Sequence, residues 1–369
     1  MKTQYQQIVI SPEQAQDIVS RLYDITGTAT ALPGEIDFNF RINTWEGEAF
    51  LLKIARPGED ENYLDFQKEL LLHLQAENPD LAAPRIIKDK EGNTLSIFVD
   101  ERGNKRFVRL LTWLPGRLWS SVNPHTESLR ESLGIHLGKI TAALQGFDHP
   151  MAHRSLQWDI SQAGWTSDHR SLFSGKQLKM ITYFQDLFQQ ENGEFEQLRK
   201  GVIHNDANDN NILVSDDLIN PEVLAVIDFG DSVYTQLLNE LAVACAYAIM
   251  HHPDPLDAAL PLVRGFHKSF PLQEKELEHL YTAIAMRLLI SVIKSAINKE
   301  EEPDNEYLQV SEAPAWELLE KWRAVHPDFA LYNFRQACGY PAHPNEQKFR
   351  SWAKDQQIDL AKLFPTVRT

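Results

Sequence analysis

The sequence predicts an α+β fold with two lobes, a small and mostly antiparallel sheet followed by a larger, mainly helical region. The 369 residues suit two domains, since a domain usually holds about 100–200 residues. Strand-like segments dominate residues 1–112, whereas helical periodicity dominates residues 113–369. Pro115-Gly116 interrupts the strand pattern just after residue 112 and marks the predicted boundary.

The first lobe is predicted to begin with a helix and to continue as strands. Ser11 can cap that helix, Pro12 suits its first position, and Gln14 can complete a capping box. FNFRIN and GEAFLLKIA predict two strands joined by a polar turn, and LSIFVD and FVRLLTWL predict two more. Between the pairs, residues 59–76 predict one inserted helix. Its apolar stripe consists of Tyr63, Phe66, Leu70 and Leu74.

The second lobe is predicted to consist mainly of helices. The predicted helical segments are residues 128–145, 176–190, 237–250 and 275–297, with a fifth that begins at residue 315. The third is almost entirely apolar, so it should be buried. Three short strand-like runs, GVIHN, NILVS and VLAVIDF, lie between the second and third helices.

Composition restricts the classes of partner. The 52 acidic residues outnumber the 36 Lys and Arg residues, and the formal net charge is −16. This charge argues against nucleic acid or an anionic membrane as the main partner, and an anionic ligand would need a locally positive site. Two cysteines, Cys245 and Cys338, cannot build a disulfide framework or a four-cysteine zinc site. No signal-like or bilayer-spanning apolar run is found, so a cytoplasmic protein is expected.

The segment that indicates chemistry has the form H-x-D-x4-N and is followed by D-F-G. It runs from His204 through Asp206 to Asn211, and the second part begins at Asp228. Phosphoryl transfer requires a carboxylate to meet the accepting hydroxyl, and amide and carboxylate oxygens to hold Mg²⁺ against nucleotide phosphates. The alternative is a polar turn between two strands, rich in Asn and Asp. That alternative does not explain the second carboxylate within VLAVIDFGD.

This pattern resembles the aminoglycoside phosphotransferase and choline kinase superfamily, which has a protein-kinase-like fold. The resemblance implies that Asp206 is the catalytic base or orients the hydroxyl, and that Asn211 and Asp228 are Mg²⁺ ligands. His204 is expected to pack and to hydrogen-bond the loop. The co-substrate would be ATP or GTP, bound by the first lobe, while the second lobe would carry catalysis and substrate binding.

The nucleotide residues are predicted from their positions relative to a kinase. Lys53 ends the strand AFLLKI, where the phosphate-binding lysine of a kinase lies, although a lysine there can also simply extend to solvent. Asn39 and Phe40 belong to PGEIDFNF, the candidate loop over the phosphates. Backbone groups of Thr112 and Leu114, at the predicted lobe junction, would meet the purine edge.

One position departs from the kinase pattern. Gln67 stands where a kinase carries the helix glutamate that pairs with the lysine, and Glu69 points away beside Asp65. A neutral amide can accept a hydrogen bond from Lys53 but cannot neutralise it. Alternatively, Gln67 only packs there.

Other segments resemble the hydroxylysine kinase branch of the superfamily. The loop reads HND where most members carry HGD, and Asn205 can replace that glycine if the residue has a positive φ, because Asn tolerates this conformation best after Gly. GFDHPMAHRSLQWDI, RLLISVIKSAI and FRQACGYPAHP add to the resemblance, which covers about residues 20–355 and is strongest at 201–243.

An amino-alcohol substrate gives a further set of candidates. Its ammonium would need carboxylates, for which Asp209 and Asp231 are available near the loop. Arg287 lies in an otherwise apolar helix and could receive a carboxylate, or it could form a structural salt bridge with Glu240. Trp158 and Tyr307 could form an aromatic wall. Asp159 is expected to be a helix cap rather than an amine contact.

The predicted function is a small-molecule kinase acting on an amine-bearing alcohol, 5-hydroxylysine first. Homoserine, choline, ethanolamine and aminoglycosides are alternative acceptors. A protein Ser/Thr kinase is disfavoured because no APE-like end follows Asp228. A non-catalytic nucleotide-binding protein is suggested by Gln67 and the glycine-poor loop, but the loop keeps all three proposed catalytic and metal residues. Oligomeric state is left open.

Overall fold

The computed structural model describes residues 10–34, 37–301 and 312–358, and its architecture is α+β as predicted. Two compact units are present. The first comprises residues 1–123, 140–156 and 201–235, and the second comprises residues 124–139, 157–200 and 236–369. The first unit thus contains both the N-terminal sheet and the loop that carries Asp206. The lobe boundary at residue 112 stays a prediction.

The first unit is built on an antiparallel sheet. Its strand order is β1-β2-β3-β6-β4, and β5 also pairs with β6. The strands are β1 (Gly27–Leu32), β2 (Phe38–Thr44), β3 (Ala49–Ile54), β4 (Ile86–Ile87), β5 (Ser96–Val99) and β6 (Lys105–Thr112). The four strands predicted here are confirmed, whereas β1 and β4 were not predicted. The sequence of β1, GTATAL, lacks the large β-branched and aromatic residues that signal a strand.

Two helices accompany this sheet, α1 (Pro12–Tyr23) and α2 (Glu61–Glu77). The predicted capping box is confirmed, since the Ser11 hydroxyl accepts from Gln14 N and the Gln14 side chain accepts from Ser11 N. Helix α1 packs on one face of the sheet, in a hydrophobic cluster that includes Ile18, Phe40 and Leu52. On α2 the predicted stripe is buried except for Tyr63, which is half-buried.

Short strands frame the polar loop of the first unit. Strands β9 (Ile212–Val214) and β10 (Val223–Val226) pair antiparallel, and β7 (Arg117–Leu118) pairs with β9. Strands β8 (Lys200–Ile203) and β11 (Val233–Gln236) form a second small sheet. The three predicted strand-like runs correspond to β8, β9 and β10, so the loop between β8 and β9 is anchored at both ends.

The second unit is mainly helical. The helices that follow α2 along the chain are α3 (Glu127–Ala143), α4 (Gly175–Phe195), α5 (Leu238–Ala248), α6 (Pro255–Ser269), α7 (Glu274–Glu301), α8 (Glu312–Ala324), α9 (Pro327–Ala337) and α10 (Glu346–Asp355). A 3-10 helix occupies Ile160–Leu172. Helix α5 is almost wholly buried, as predicted. Helices α6, α9 and α10 were not predicted.

Helix α7 forms the core of the second unit. Among the described residues it alone, over Glu274–Glu300, is long and apolar enough to cross a membrane. However, 83% of its most apolar window is buried inside the protein, as in the core helix of a globular domain. Tyr281 on α7 stacks on Trp322 of α8, and each side chain donates a hydrogen bond to the backbone carbonyl of the other.

Candidate active site

The loop between β8 and β9 is fixed by a buried histidine. His204 donates from Nε2 to the carbonyl of Ile227 at 2.9 Å and accepts from Asp206 N at Nδ1, at 3.2 Å. The bond accepted at Nδ1 requires the neutral ring, and burial lowers the pKa of His204 to about 4. The ring also meets Phe229 edge-on. The expectation that His204 packs and bonds the loop therefore agrees with these contacts.

The next residue has the backbone conformation under which Asn can replace glycine. Asn205 has φ +66°, which is the left-handed region in which Asn is best tolerated after Gly. Its side chain is fully buried, and its Nδ2 donates to the carbonyl of Asp231 at 3.3 Å. This turn directs the chain so that Asp206 follows immediately outside the buried strand end.

Two amides hold the carboxylate of Asp206. Asn211 Nδ2 donates to Asp206 Oδ2 at 2.7 Å and to its backbone carbonyl at 3.0 Å, while Asn208 Nδ2 donates to the same Oδ2 at 3.0 Å. The structure thus brings Asp206 and Asn211 into direct contact. Both donors hold the carboxylate in place, so that it can accept a hydrogen bond from a hydroxyl.

Asp228 lies next to this pair on the neighbouring strand. The hydrogen bond from Ile227 N to the carbonyl of Asn211, 2.9 Å long, joins the two segments. Asp228 has φ +63°, and its Oδ1 lies 3.5 Å from Lys53 Nζ. The charge of Lys53 is the main cause that lowers the pKa of Asp228, so this carboxylate is ionised at neutral pH.

The oxygens offered here fit a divalent cation bound with phosphates. Since the Asn211 amide nitrogen is committed to Asp206, its oxygen is directed away from that carboxylate, and the side chain of Asp228 is 51% exposed. Within the described residues no group of three or more His, Cys, Asp and Glu side chains could hold a metal alone. A cation here would therefore need further oxygens from a ligand, which is how Mg²⁺ is commonly bound with nucleotide phosphates.

Lys53 and Asn39 lie side by side on the sheet. They are directly paired in the β2–β3 register, so their side chains share one face. Phe40 is placed elsewhere: its neighbouring position turns it to the opposite face, where it is 2% exposed within the hydrophobic cluster with α1. The side chain of Phe40 thus packs in the core and is not brought together with Lys53.

Gln67 is buried on the predicted side of α2, but its observed partner is an arginine. Arg109 Nη1 donates to Gln67 Oε1, and Arg109 Nη2 donates to Asp37 Oδ2 at 2.7 Å. Asp37 also lies 3.7 Å from Lys53 Nζ. A buried network of two cations and one carboxylate therefore occupies this face of the sheet.

The two candidates for purine binding lie at the end of β6: Thr112 is its last residue, and Leu114 follows two residues later. Thr112 N donates to the carbonyl of Arg85 at 2.8 Å, and its hydroxyl accepts from Arg85 N at 3.0 Å. This N–H therefore holds the sheet and is not presented to a ligand. Leu114 lies just beyond the strand and is half-buried.

A carbonyl of the D-F-G segment is clamped by two donors. Tyr63 OH and Arg154 Nη2 each donate to the carbonyl of Gly230 at 2.7 Å. The Arg154 guanidinium also lies over the Tyr63 ring, 4.9 Å from its centroid. Burial is the main cause that raises the pKa of Tyr63 to about 12, so the phenol keeps its proton and remains a donor.

The substrate candidates are distributed over both units. In the first unit, Asp209 accepts at its backbone carbonyl from Ser120 N, and Asp231 ends the short turn after Asp228. In the second unit, Arg287 is 1% exposed and donates to the carbonyl of Trp158 at 2.8 Å.

Aromatic rings surround Arg287 as well. Its guanidinium lies 4.7 Å from the centroid of Trp158 and 5.5 Å from that of Tyr247. Asp159 caps the 3-10 helix through Ser161 N, as expected. Tyr307 lies outside the described residues.

Sequence reasoning missed several residues that contact the site. Arg109 is a charge within an apolar strand, the same signal that had identified Arg287, and Asp37 lies in the loop already considered for phosphates. Asn208 belongs to the polar loop itself. Tyr63 and Arg154 carry no local signal, because their role depends on the distant carbonyl of Gly230.

A strand lysine facing a loop with paired carboxylate and amide groups defines a class, the kinase-like phosphotransferases. The chain belongs to the phosphotransferase enzyme family (APH), which it matches over residues 28–272. Hydroxylysine kinase of Danio rerio is 27% identical over 328 residues, which are 84% of this chain and 91% of that protein. The protein is thus a small-molecule phosphotransferase that acts on an alcohol group, and the resemblance to the hydroxylysine kinase branch is confirmed.

Solved structures share the fold. A microcompartment-associated aminopropanol kinase superposes with a TM-score of 0.66 at 18% identity, over 85% of this chain and 98% of its own. An amicoumacin kinase, solved in complex with AMP-PNP, Ca²⁺ and Ami, superposes with a TM-score of 0.62 at 14% identity, over 91% of this chain and 96% of its own. The predicted protein-kinase-like fold is therefore confirmed.

Proposed function

We propose that the protein transfers the γ-phosphoryl group of ATP or GTP to the hydroxyl of a small amine-bearing alcohol, with 5-hydroxylysine as the first candidate. The observation that carries this proposal is the convergence of Asp206, Asn211 and Asp228 beside Lys53. Relatives named hydroxylysine kinase, which match 84–85% of this chain, support the choice of acceptor.

Asp206 is proposed to orient the acceptor. Its carboxylate, held by two amide donors, accepts a hydrogen bond from the hydroxyl and takes the proton as the oxygen bonds to the γ-phosphorus. The bond from that phosphorus to the bridging oxygen breaks, and the nucleoside diphosphate leaves. The fixed geometry supplies orientation, which is the main contribution a protein can make to phosphoryl transfer.

Asn211 and Asp228 are proposed to hold Mg²⁺, which neutralises phosphate charge when bound. Lys53 is proposed to meet the phosphates, and Asn39 shares its face of the sheet. Lys53 supplies the positive charge that a chain of net charge −16 needs beside an anionic nucleotide, because Arg109 on the same face is bonded to Asp37 and Gln67. Backbone groups of Thr112 and Leu114 are proposed to contact the purine edge. Thr112 N is excluded from these contacts, because it already donates to the carbonyl of Arg85.

For the acceptor, the carboxylates of Asp209 and Asp231 are proposed to receive its ammonium group, since both belong to the segments that hold Asp206 and Asp228. Arg287 is proposed to receive its carboxylate, and Trp158 is proposed to form part of an aromatic wall. The guanidinium of Arg287 already bonds a backbone carbonyl and lies near two rings, so a structural role is the competing interpretation. A cytoplasmic location is proposed because α7 is buried within the protein.

The test is an acceptor screen with ATP and with GTP, in which nucleoside diphosphate release is measured with 5-hydroxylysine, homoserine, choline, ethanolamine and an aminoglycoside. Turnover highest with 5-hydroxylysine is expected. Turnover with another acceptor alone would reassign the substrate, and phosphorylation of protein with none of small acceptors would refute the proposal.

Variants at the loop test the roles of its residues. Asp206→Asn should lower kcat by about three orders of magnitude or more while Mg-nucleotide binding stays within a few-fold of wild type. Asp216→Asn is the matched control, because the side chain of Asp216 is 82% exposed in the turn that follows β9. Equal loss of nucleotide binding and turnover in Asp206→Asn would mean that Asp206 is misassigned.

A further inference from the structure

We infer that Asp37, and not residue 67 of helix α2, is the counter-ion that positions Lys53 for phosphoryl transfer; this inference rests on the proposed function. In kinases a helix glutamate forms an ion pair with the lysine, whereas here α2 carries the neutral amide of Gln67 at that position. Asp37 Oδ2 lies 3.7 Å from Lys53 Nζ, and Gln67 instead accepts a hydrogen bond from Arg109. Asp37 is thus a positioning residue that acts through Lys53.

The register of the sheet explains why Asp37 reaches both cations. Lys53 is paired with Asn39 of β2 on one side and with Arg109 of β6 on the other, so the three side chains share one face. Asp37 precedes Asn39 by two residues and stands at the start of β2. Its carboxylate Oδ2 therefore receives Arg109 Nη2 at 2.7 Å and faces Lys53 as well.

The two carboxylates beside Lys53 differ in what they can do. The side chain of Asp228 is 51% exposed, whereas that of Asp37 is 10% exposed. Asp228 can therefore turn to a divalent cation, while Asp37 stays with Lys53. Without Asp37, Lys53 would have Asp228 as its nearby carboxylate and would compete with the cation for it.

The neutral residue on α2 fits this arrangement. Lys53 and Arg109 are cations and Asp37 is the carboxylate between them, so this buried trio keeps one positive charge in excess, which is left for phosphate once Asp228 turns from Lys53 to a divalent cation. A glutamate at position 67 would face Arg109 and cancel that excess. The local attraction for phosphate would then weaken, in a chain that is already strongly acidic.

The experiment compares Asp37→Asn, Asp37→Glu and Gln67→Glu with wild type. Steady-state kinetics are measured as functions of nucleotide and Mg²⁺, binding of Mg·ADP is measured by calorimetry, and folding is checked by thermal unfolding. Asp37→Asn should lower kcat/KM for nucleotide about tenfold, the effect of losing one charge-assisted contact. It should also raise the Mg²⁺ concentration at half-maximal rate, and Asp37→Glu should recover part of both losses.

Gln67→Glu provides the independent test, which holds even if Asp37→Asn fails to fold. It should weaken Mg·ADP binding severalfold, because it cancels the excess charge. A gain in kcat/KM with Gln67→Glu would show that Lys53 depends on residue 67 and would overturn the inference, as would Asp37→Asn kinetics within twofold of wild type. If the wild-type protein turns over nucleotide but the variants give either of these contrary results, only this inference is refuted. If the wild-type protein binds no Mg-nucleotide, the proposed function is refuted and the inference with it.

Discussion

Acidification is predicted to destabilise the protein through His204, a residue of the polar loop between β8 and β9. The ring is fully buried. Its Nε2 donates to the carbonyl of Ile227, and its Nδ1 accepts from Asp206 N, which only the neutral form can do. Its pKa is lowered to about 4 in the folded protein, chiefly by burial. In the unfolded chain it should lie near the ordinary value of about 6.5.

The direction and size of the effect follow from these two values. As the pH falls below about 6.5, the unfolded state takes up a proton that the folded state does not, so stability decreases. The contribution of neutral His204 to the free energy of unfolding is fully present above about pH 6.5. It is lost progressively down to about pH 4, where the folded form also takes up the proton. At about 1.4 kcal/mol per pH unit, this interval corresponds to about 3 kcal/mol, of which about 2 kcal/mol is lost by pH 5.

Urea unfolding of wild type and of His204→Gln, measured from pH 7.5 to pH 5, would test this. The chain has 13 histidines, and all the others are common to both proteins, so the difference isolates His204. The variant should be less stable at pH 7.5, because the ring packing is lost, but should lose about 2 kcal/mol less on acidification. Equal pH dependence of the two proteins would refute the assignment of a neutral, buried ring.

Two further predictions concern the clamp on the D-F-G segment and the packing of the second unit. Tyr63→Phe removes one of two donors to the carbonyl of Gly230, so we expect a severalfold higher Mg²⁺ requirement in kinetic assays and a loss of about 1 kcal/mol of stability. Unchanged Mg²⁺ dependence would contradict the role of the clamp. Gly265→Ala places a methyl group 2.2 Å from the carbonyl oxygen of Glu131 and should lower the free energy of unfolding in urea by about 3 kcal/mol. Gly193→Ala is the control, because this position on α4 has open space, and the change should raise the free energy of unfolding by about 0.5 kcal/mol. Similar stabilities of the two glycine variants would contradict the close approach of α3 and α6.

Local chemistry explains which elements could be predicted from the sequence. The capping box at Ser11 involves residues three positions apart, and the positive φ of Asn205 reflects the preference of one residue type. The loop residues Asp206 and Asn211 are likewise close in sequence, and their contact follows from that spacing. Contacts between residues a few positions apart could therefore be predicted from the local sequence pattern.

Helix α6 shows why other elements could not be predicted. It contains Pro261 in its interior and Gly265 one turn later, and both residues ordinarily indicate a break. The glycine is required because α3 crosses there at backbone distance, with Glu131 O where a Cβ would lie. The helix thus depends on tertiary packing that overrides local propensity.

The candidate site was incomplete for the same reason. Gln67 was correctly expected to face the sheet, yet its partner is Arg109, and the carboxylate near Lys53 comes from Asp37 rather than from the helix. Phe40 was expected over the phosphates, but alternation along β2 turns it into the core. Strand pairing decides these contacts, and a single sequence does not state which strands pair.

The geometry around Asp228 indicates how such distant contacts support the proposed chemistry. A left-handed conformation at a residue other than glycine costs on the order of 1 kcal/mol, so neighbouring groups must maintain it. On one side the carbonyl of Ile227 is bonded by His204, and on the other the carbonyl of Gly230 is bonded by Tyr63. These two donors are neutral and buried or half-buried, whereas Arg154, which also bonds the carbonyl of Gly230, brings a positive charge to that side. The orientation of the Asp228 carboxylate, which is proposed to bind the metal, should therefore depend on these donors as much as on the carboxylate itself.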